Sequence, residues 1–542
     1  MICNSLDVIT LFYPLESPMP GEYPPLPVFF NVAGPCIPGR HYMIPALGRC
    51  PEARSLAVEG HYFVVRSARQ SGKTTLLQSL VREINEQRRF YALFCSLETL
   101  QGIEDLEEGM QGVLDAVIQA LRWSGAEPLR NALDTFAAPG PTVVVAQALM
   151  SLCAALDKPL ILFFDETDCL AGQTLLSFLR QLRNGYINRA AIPFPWSVAL
   201  TGMRDIRDFK AQVRQPGETP GSVSPFNIIT DTLTLHDFTQ EQTAELYAQH
   251  TAATGQIFEP DAAARAYYWT EGQPRLVNAL ARQVVEKDLA RDYSKAVSAS
   301  CIDSAAETLL QRRDTHIDSL MEHLKEPRVR KVIEPVLCGG YYEVDPLADD
   351  TQFCLDIGLL KFDKHCGLRP SNPMYRDIMV RVLNFGTQFS LPSNLEHRWM
   401  DGKTLDMTAL LKEFQRFWRE NSEFWIERYD YKEAAPHLIL QAFLQRVTNG
   451  GAQIEREYAL GLGRVDVCVK YAGNAYPVEI KLARAGAREQ GAAQLQRYMA
   501  RCGARDGWLV IFDRDPVKAW VDDLSWETDA LPDGGTLHIV RC

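Results

Sequence analysis

The residues best suited to chemistry lie in one short loop, Ser67 to Thr74, which reads Ser-Ala-Arg-Gln-Ser-Gly-Lys-Thr. An apolar run, Tyr62 to Val65, precedes the loop, and a helical pattern follows it as far as Glu86. A strand, a Gly-Lys-Thr turn and a helix form a loop whose backbone N–H groups surround a phosphate. There the lysine contacts the β- and γ-phosphates and the threonine hydroxyl binds Mg²⁺. The spacing therefore predicts a site for a nucleoside triphosphate.

The predicted nucleotide ligands all belong to this loop and the helical turn that follows it. They are Ser67, Gln70, Ser71, Gly72, Lys73, Thr74 and Thr75. A glycine is usual at the first position of such a loop, where it tolerates a positive φ angle. Because Ser67 stands there, the sequence predicts backbone strain in the loop, which counts against ordinary turnover of the nucleotide.

An acidic pair, Asp165 and Glu166, ends a second apolar run. In a buried parallel strand, Asp165 would hold the Mg²⁺ shell and Glu166 would polarise the attacking water, unless the pair is only a solvated strand end. Thr201 ends a further strand and is our candidate for the residue that senses the γ-phosphate. A threonine that simply ends a strand is an equally good interpretation. Arg275 follows a Gly-Gln-Pro turn, and it would stabilise phosphate charge or lie on the surface as an ordinary arginine.

A second constellation lies almost four hundred residues downstream, in two strand patterns joined by a Gly-Asn turn. Glu479 and Lys481 are two residues apart on one strand, so they point to the same face. Asp466 lies on the neighbouring strand. Asp466 and Glu479 can bind Mg²⁺ and its water, while Lys481 orients that water or stabilises charge. Exposed hairpins also carry such residues, so the surrounding elements matter.

The elements that position these groups alternate between short apolar runs and helical patterns up to about Asp231. This alternation predicts an α/β fold, with a parallel sheet covered by helices on both faces. The chain from Thr239 to Arg312 is mainly helical, with a capping signal at its start. In the C-terminal part, the apolar run Trp508 to Phe512 is predicted to complete a second sheet.

Shifts in these patterns predict the domain boundaries. They are an extended arm at 1–38, a nucleotide-binding core at 39–235, a helical lid at 236–312, a winged-helix-like module at 313–385, a linker at 386–409 and a separate α/β domain at 410–542.

The composition limits the class of protein. An apolar content of 46% and a charged content of 23% are ordinary for a globular protein. The chain has no apolar run long enough to span a bilayer and no signal-peptide pattern, so we expect a cytoplasmic location and no membrane partner. A net charge of −12 argues against general coating by nucleic acid, but it leaves room for a local basic groove.

From about Phe29 to Leu383 the chain resembles the AAA-like, STAND-type P-loop ATPases of prokaryotes. The loop, the Asp165-Glu166 strand, the Gly-x-Pro turn of the lid and the winged-helix-like tail carry this resemblance. It implies that the chain binds ATP with Mg²⁺. It also implies that the segment before the loop lies near the base, which suggests His41 and Tyr42.

From about Lys432 to Asp513 the chain resembles the PD-(D/E)xK nuclease superfamily, through Asp466, Glu479 and Lys481. The resemblance implies a restriction-endonuclease-like domain that uses Mg²⁺ or Mn²⁺. It also implies a further acid from the preceding helix and a Gln and a Tyr from the following helix. The matching residues are Glu433, Gln494 and Tyr498. A nuclease-like domain used only for docking is the alternative.

Two such regions on one chain suggest that ATP binding or hydrolysis gates a nuclease acting on nucleic acid, with DNA as the expected partner. A homo-oligomer is a further expectation. By resemblance, such fusions serve in defence against foreign DNA or in mobile-element biology. Arginines after Lys481, including Arg484, Arg488 and Arg497, would contact phosphates or form a solvated helix face. The alternative function is a nucleotide-dependent signalling switch whose C-terminal domain is a binding module.

Overall fold

The computed structural model describes residues 27–124, 140–202, 228–312, 322–337, 344–363, 367–390, 399, 403–426, 435–448, 453–460, 463–483, 486–512, 525–531 and 534–542. The chain divides into two compact units, Met1–Leu309 with Asp356–Gly358, and Leu310–Leu355 with Leu359–Cys542. Within the described ranges, no helix combines the length and the apolar character needed to cross a membrane.

The first unit is built on a five-stranded parallel sheet. The strands of this unit are β1 (Phe29–Phe30), β2 (His41–Tyr42), β3 (Tyr62–Arg66), β4 (Tyr91–Ser96), β5 (Leu160–Asp165), β6 (Ser197–Gly202) and β7 (Ile229–Thr234). The large sheet has the order β4-β5-β6-β3-β7, and all of its pairings are parallel. The predicted parallel sheet is confirmed. Sequence patterns missed β7 because this edge strand is mostly polar and half exposed.

Part of the predicted N-terminal arm forms a β-strand. Residues 1–26 lie outside the described part of the chain. The arm was expected to be extended as far as residue 38, but β1 pairs in parallel with β2. This pairing is too short to produce an alternating pattern of apolar residues that could be recognised in the sequence.

Helices cover both faces of the large sheet. The helices of this unit are α1 (Glu52–Glu59), α2 (Lys73–Glu86), α3 (Leu106–Trp123), α4 (Val144–Ala155), α5 (Gly172–Asn188), α6 (Gln240–Thr254), α7 (Pro260–Thr270), α8 (Pro274–Arg282) and α9 (Ala299–Arg312). Phe63 and Val65 pack towards α1 and α2, whereas Tyr62 and Val64 pack towards α3, α4 and α5. Alternate residues of β3 are therefore buried on opposite faces, which explains its unbroken apolar run.

The helical segment predicted as a lid begins at the residues that its sequence signals indicate. Thr239 and Gln242 form a capping box at the start of α6. Gln273 caps α8 through its side-chain oxygen, and Pro274 occupies the first turn, where a missing N–H costs nothing. The lid is thus joined to β7 by a short segment that ends at Thr239.

The second unit begins with a small helical module that carries a hairpin. Its elements are α10 (Pro327–Leu337), α11 (Asp349–Asp356), β8 (Leu360–Asp363), β9 (Gly367–Pro370) and α12 (Pro373–Ser390). Helix α12 continues to Ser390, and the next helix begins at Met407, so the predicted linker 386–409 is helical at both ends. Helix α12 packs against the helix at Ala435–Thr448 and continues past Gly386, a residue that alone costs a helix about 1 kcal/mol.

A six-stranded mixed sheet forms the rest of the second unit. Its elements are α13 (Met407–Ile426), α14 (Ala435–Thr448), β10 (Gln453–Leu460), β11 (Gly463–Tyr471), β12 (Asn474–Leu482), α15 (Ala487–Cys502), β13 (Asp506–Phe512), β14 (Trp526–Ala530) and β15 (Thr536–Arg541). The order is β10-β11-β12-β13-β15-β14. The prediction that β13 completes the sheet is wrong, because β15 pairs with it in parallel and β14 pairs with β15. Both strands are short, and β14 is largely polar.

Helices cover the two faces of this sheet in different ways. Helix α15 packs through Leu495 and Met499 on a cluster that includes Leu509 and Ile539. Phe414 and Trp418 of α13 contact Phe512, which alternates with those positions, and Phe443 of α14 packs on Phe414. The residues of β12 that share a face with α15 are therefore the odd-numbered ones, including Glu479 and Lys481.

Candidate functional site

The loop between β3 and α2 is wrapped around its own lysine. The Lys73 ammonium donates to the carbonyl oxygens of Ser67 at 2.7 Å and Ala68 at 3.0 Å. Gln70 and Gly72 have positive φ angles, 60° and 97°. Such turns direct successive backbone N–H groups to one side and form an anion-binding concavity. This loop, with strand β3 before it and helix α2 after it, has the arrangement of a P-loop.

The strain predicted at Ser67 is absent. Ser67 does not have a positive φ angle; the left-handed positions of the loop are Gln70 and Gly72. The Ser67 hydroxyl donates to the carbonyl oxygen of Leu235 at 3.0 Å, next to the end of β7. The serine therefore contributes a hydrogen bond at a position that does not need glycine.

Three predicted ligands meet at the carboxyl end of the sheet. The Thr74 hydroxyl donates to Asp165 Oδ2 at 2.6 Å, and the Thr201 hydroxyl donates to Asp165 Oδ1. The backbone N–H of Glu166 also donates to Asp165 Oδ1, at 3.1 Å. Both carboxylate oxygens of this buried aspartate are thus oriented by neutral donors. A hydroxyl and a carboxylate in contact are ligands that suit Mg²⁺.

The acids around Asp165 make an electrostatic environment of their own. Burial raises the pKa of the Glu166 carboxyl, and the neighbouring carboxylates of Glu98, Asp165 and Asp168 raise it further. Burial lowers the pKa of Lys73, and the same aspartates oppose that effect. A carboxylate with a raised pKa is a better base at neutral pH, as the role predicted for Glu166 requires.

The lid reaches the loop through the predicted arginine. Arg275 Nη1 donates to the side-chain oxygen of Gln70 at 2.7 Å. Two other residues of the loop region are held within the protein. Ser71 is buried, and the Thr75 hydroxyl accepts the N–H of Cys36 at 3.1 Å. The structure therefore brings Arg275 to the phosphate loop, while Thr75 anchors the segment that precedes β2.

The residues suggested to lie near the base are engaged elsewhere. His41 is buried, and its Nδ1 accepts the N–H of Ile37 at 2.9 Å. The Tyr42 hydroxyl lies 3.1 Å from Nδ1 of His250, a buried lid residue. Tyr42 therefore joins the N-terminal segment to the lid, whereas His41 is held within that segment.

Arg49 belongs to this site, and sequence patterns did not single it out. Its guanidinium is 8% exposed and donates to the carbonyl oxygens of Ser71, at 2.8 Å, and His236, at 2.9 Å. The guanidinium also lies 4.8 Å from the centre of the Phe238 ring. A single arginine in a loop has no periodic or spacing signal by which it could be found.

The second constellation also comes together. The antiparallel register of β11 and β12 pairs Val467 with Val478, which places Asp466 beside Glu479. Asp466 Oδ2 accepts the N–H of Ile480 at 2.8 Å, and the Lys481 ammonium lies 2.5 Å from Glu479 Oε1.

Helix α15 completes the surroundings of Lys481. Its Gln494 side-chain oxygen is 3.5 Å from the Lys481 ammonium. Gly491 allows this approach, because a Cβ there would lie 2.6 Å from Leu509 and 3.3 Å from Lys481. Tyr498, the other residue expected from this helix, is buried in the core beneath it.

Glu479 is a buried acid with an unusual balance of contacts. It is 0% exposed, and within the described part of the chain its Oε2 atom has no hydrogen-bond partner. Burial raises the pKa of the Glu479 carboxyl from 4.5 to about 8; Asp466 adds to this effect and Lys481 opposes it. A buried, unsatisfied carboxylate oxygen beside a second acid fits a bound cation.

The set of ligands is smaller than a complete metal centre. Among the described residues, no group of three His, Cys, Asp or Glu side chains is arranged to hold a metal ion. Glu433, the predicted helix acid, lies outside the described residues. Helix α14 begins just after it and carries His437, whose pKa is lowered by burial and affected by Asp466 and Lys481. Sequence reasoning missed His437, because a lone histidine gives no pattern.

The predicted basic surface after Lys481 is neutralised in part, at Arg488, whereas Arg497 donates to the carbonyl oxygen of Ala493 at 3.2 Å. Arg488 pairs with Glu527 at 3.0 Å and Asp529 at 3.3 Å on β14. In the helical module, Arg328, Arg330 and Arg369 pair with Glu326, Glu334 and Asp363. Arg484 lies outside the described residues. A phosphate-binding role for these arginines would therefore require them to exchange carboxylate partners.

Known families and solved structures match parts of the chain. A family model described as a domain of unknown function (DUF8371) matches residues 407–515. No curated protein matches the chain. Among solved structures, the Walker-type ATPase of Pyrococcus abyssi is 12% identical, with a TM-score of 0.44 over 65% of this chain and 99% of that chain.

Two further solved structures have lower TM-scores. The Aeropyrum pernix ORC1 protein in complex with DNA is 14% identical, with a TM-score of 0.33 over 62% of this chain and 93% of that chain. The RuvB Holliday junction branch migration motor of Thermotoga maritima is 15% identical, with a TM-score of 0.32 over 60% of this chain and 92% of that chain.

Proposed function

We propose that the first unit binds and hydrolyses ATP with Mg²⁺, and that this cycle gates a metal-dependent nuclease in the second unit. The observation that carries the first half is the hydrogen-bonded set Thr74–Asp165–Thr201, which joins the loop to two strand ends. The observation that carries the second half is buried Glu479 beside Asp466, with an unsatisfied oxygen.

In the ATPase reaction, Lys73 exchanges its two loop carbonyls for the β- and γ-phosphates. Thr74 and Asp165 would hold Mg²⁺, which would supply positive charge beside the phosphates. Glu166 takes the position of the base that polarises the attacking water, and its raised pKa supports this role. Arg275 leaves Gln70 and stabilises charge on the transferred phosphoryl group.

In the nuclease reaction, Asp466 and Glu479 would hold the metal, and a metal there would make a nearby water a better nucleophile. Lys481, placed between Glu479 and Gln494, orients that water towards the phosphodiester. Glu433 remains a proposed further acid. DNA is the proposed substrate, and defence against foreign DNA the proposed role, on the resemblance of the chain to ATPase–nuclease fusions.

Gating requires that ATP has different affinities for two arrangements of the chain, because only such a difference can shift an equilibrium. A homo-oligomer that forms with ATP is one such arrangement.

The test uses the full chain with supercoiled plasmid, linear duplex, single-stranded DNA and single-stranded RNA. Each substrate is incubated with Mg²⁺ or Mn²⁺, with and without ATP. We expect Glu479→Gln to bind ATP without cutting, and Lys73→Ala to lose the response to ATP. Glu489→Gln, an exposed acid on α15, is the matched control and should cut normally.

The outcomes separate the two halves of the proposal. Cleavage retained by Glu479→Gln would refute the nuclease site, and cleavage that ignores both ATP and Lys73→Ala would refute gating. ATP hydrolysis without cleavage of any substrate would favour a nucleotide-dependent switch with a C-terminal binding module. The small set of metal ligands within the described residues is the observation that favours this second function.

A further inference from the structure

We propose that Arg49 is a positioning residue of the nucleotide site, which orients the phosphate loop at Ser71 and couples it to the segment that enters the lid. The inference rests on the proposed nucleotide binding by the first unit. Arg49 ends a short 3-10 helix, Ala46–Arg49, that precedes α1.

Arg49 links two separate segments of the chain through its hydrogen bonds. One side of its guanidinium donates to the carbonyl oxygen of Ser71 in the loop. The Nη2 atom that bonds Ser71 also donates, together with Nε, to the carbonyl oxygen of His236, beyond the end of β7. Burying a cation is costly unless its donors are used, and a rigid planar fork can hold two separate acceptors at once. A flexible ammonium cannot reproduce this geometry.

On the loop side, Arg49 controls one peptide group. A Cβ on Gly72 would lie 3.3 Å from Arg49 Nη1, so the guanidinium lies against the turn that precedes Lys73. In a planar trans peptide, the carbonyl and the following N–H point in opposite directions. Because Arg49 holds the carbonyl of Ser71, the N–H of Gly72 must point away from Arg49. This N–H is one of the loop donors available to a phosphate.

On the lid side, Arg49 contacts a segment that is tightly joined to α8. The N–H of Phe238, whose ring lies beside Arg49, donates to the carbonyl oxygen of Gly272 at 2.8 Å. Gly272 has a φ of 81°, and a Cβ there would lie 1.8 Å from the Phe238 oxygen, so no side chain fits. Three residues later, Arg275 returns to the loop at Gln70.

These contacts form a closed ring from the loop through Arg49, Phe238, Gly272 and Arg275 and back to the loop. Movement of the loop around a phosphate is therefore passed to the lid from two sides. Burial lowers the pKa of Arg49 to about 10, so the side chain stays charged at neutral pH and also favours an anion in the loop.

Arg189 provides a control with the same kind of hydrogen bonding, at an exposed position. It too donates to two carbonyl oxygens, those of Gly60 at 2.8 Å and Trp196 at 3.2 Å, and it lies 4.2 Å from the centre of the Tyr186 ring. It does not touch the phosphate loop. Arg189→Met removes the same kind of bridge from the same unit, so it reports the cost of losing a structural arginine.

The experiment titrates the full chain with a fluorescent ATP analogue and Mg²⁺, and records thermal unfolding of each variant. We expect Arg49→Met to raise the Kd about tenfold or more, and Arg49→Lys to recover only part of that loss, because the charge stays but the fork is gone. Arg189→Met should change the Kd less than about twofold, and because Arg189 is exposed it should lower the melting temperature less than Arg49→Met does.

Hydrogen exchange supplies the second measurement. Nucleotide should protect residues 236–239 and 272–276 in the wild type and protect them less in Arg49→Lys. If Arg49→Met does not fold, Arg49→Lys alone decides through its Kd and its exchange.

A Kd for the Arg49 variants equal to that of Arg189→Met would overturn the positioning role while leaving nucleotide binding intact. Wild-type protein that binds no nucleotide, or Lys73→Ala that binds as well as wild type, would instead refute the nucleotide site and the inference with it.

Discussion

Asp165 in the first unit and Glu479 in the second are both buried carboxylates on a sheet, but their oxygens are paired differently. Asp165 receives hydroxyl and backbone donors on both oxygens. Glu479 receives an ammonium on one oxygen, and within the described residues its other oxygen has no partner. The first site is oriented before any ligand arrives. In the second site, which we call the strained site, a buried carboxylate is incompletely paired, so binding of a cation would stabilise it.

The largest effect should come from removing one acid of the strained site. In Asp466→Asn the amide oxygen still accepts the N–H of Ile480, but one of two anionic ligands is lost. We expect the affinity for Mn²⁺, measured by calorimetry on the full chain, to fall at least about 100-fold. Asp506→Asn, at the exposed first residue of β13, is the control. Equal Mn²⁺ affinities for the two variants would show that the acids do not bind metal.

A smaller effect should follow from disturbing the oriented site. Thr201→Val keeps the shape of the side chain but removes one donor from buried Asp165. We expect kcat/KM for Mg·ATP to fall about tenfold, because a buried acceptor loses part of its hydrogen bonding. Thr174→Val, at another fully buried threonine of the same unit, should leave the ATPase rate unchanged. Unchanged kinetics in Thr201→Val would mean that Thr74 and the Glu166 N–H suffice.

A difference in pH dependence should distinguish the second unit. The native Glu479 carboxyl keeps its proton up to a pKa of about 8, whereas an ordinary value is 4.5. Between these values the folded state binds more protons than the unfolded state, so stability falls as pH rises. In EDTA, thermal unfolding of this unit should shift down by a few degrees over that range. Mg²⁺ should oppose the shift at the alkaline end.

The matched variant for this measurement is Glu479→Gln, which has no proton to release. Its unfolding temperature should vary less with pH over the same interval. A wild-type curve as flat as that of the glutamine variant would contradict the raised pKa.

The smallest effect should come from Ser67→Gly. Ser67 does not need a positive φ angle, and it donates a hydrogen bond to Leu235. Restoring the glycine of the usual motif should therefore change the Kd for the ATP analogue less than about threefold. Much tighter binding by Ser67→Gly would restore the idea of strain in the loop.

Much of the fold could be predicted because its signals are local. The apolar runs of β3 to β6, the Thr239 capping box and the Gly-Lys-Thr turn each lie within a few neighbouring residues. Edge strands were the exception. Strands β7 and β14 are half exposed, so their sequences lack the apolar period that identified the central strands.

The candidate sites could be predicted only in part, since spacing indicates which residues share a strand or a helix but not which strands meet. Two-residue spacing placed Glu479 and Lys481 on one face. It did not indicate that Glu479 is fully buried or that one of its oxygens lacks a donor, because burial depends on α15 lying over the sheet.

By itself, the sequence determined the phosphate loop, the acids that follow the strands and the carboxylate pair, because strand period and turn chemistry act over short distances. Only the tertiary structure decided how these groups are paired. Arg49 and Ser71 are 22 residues apart, Asp165 and Thr201 are 36 apart, and Gln70 and Arg275 are 205 apart. Such contacts form when packed elements bring distant segments together, and no local pattern encodes them.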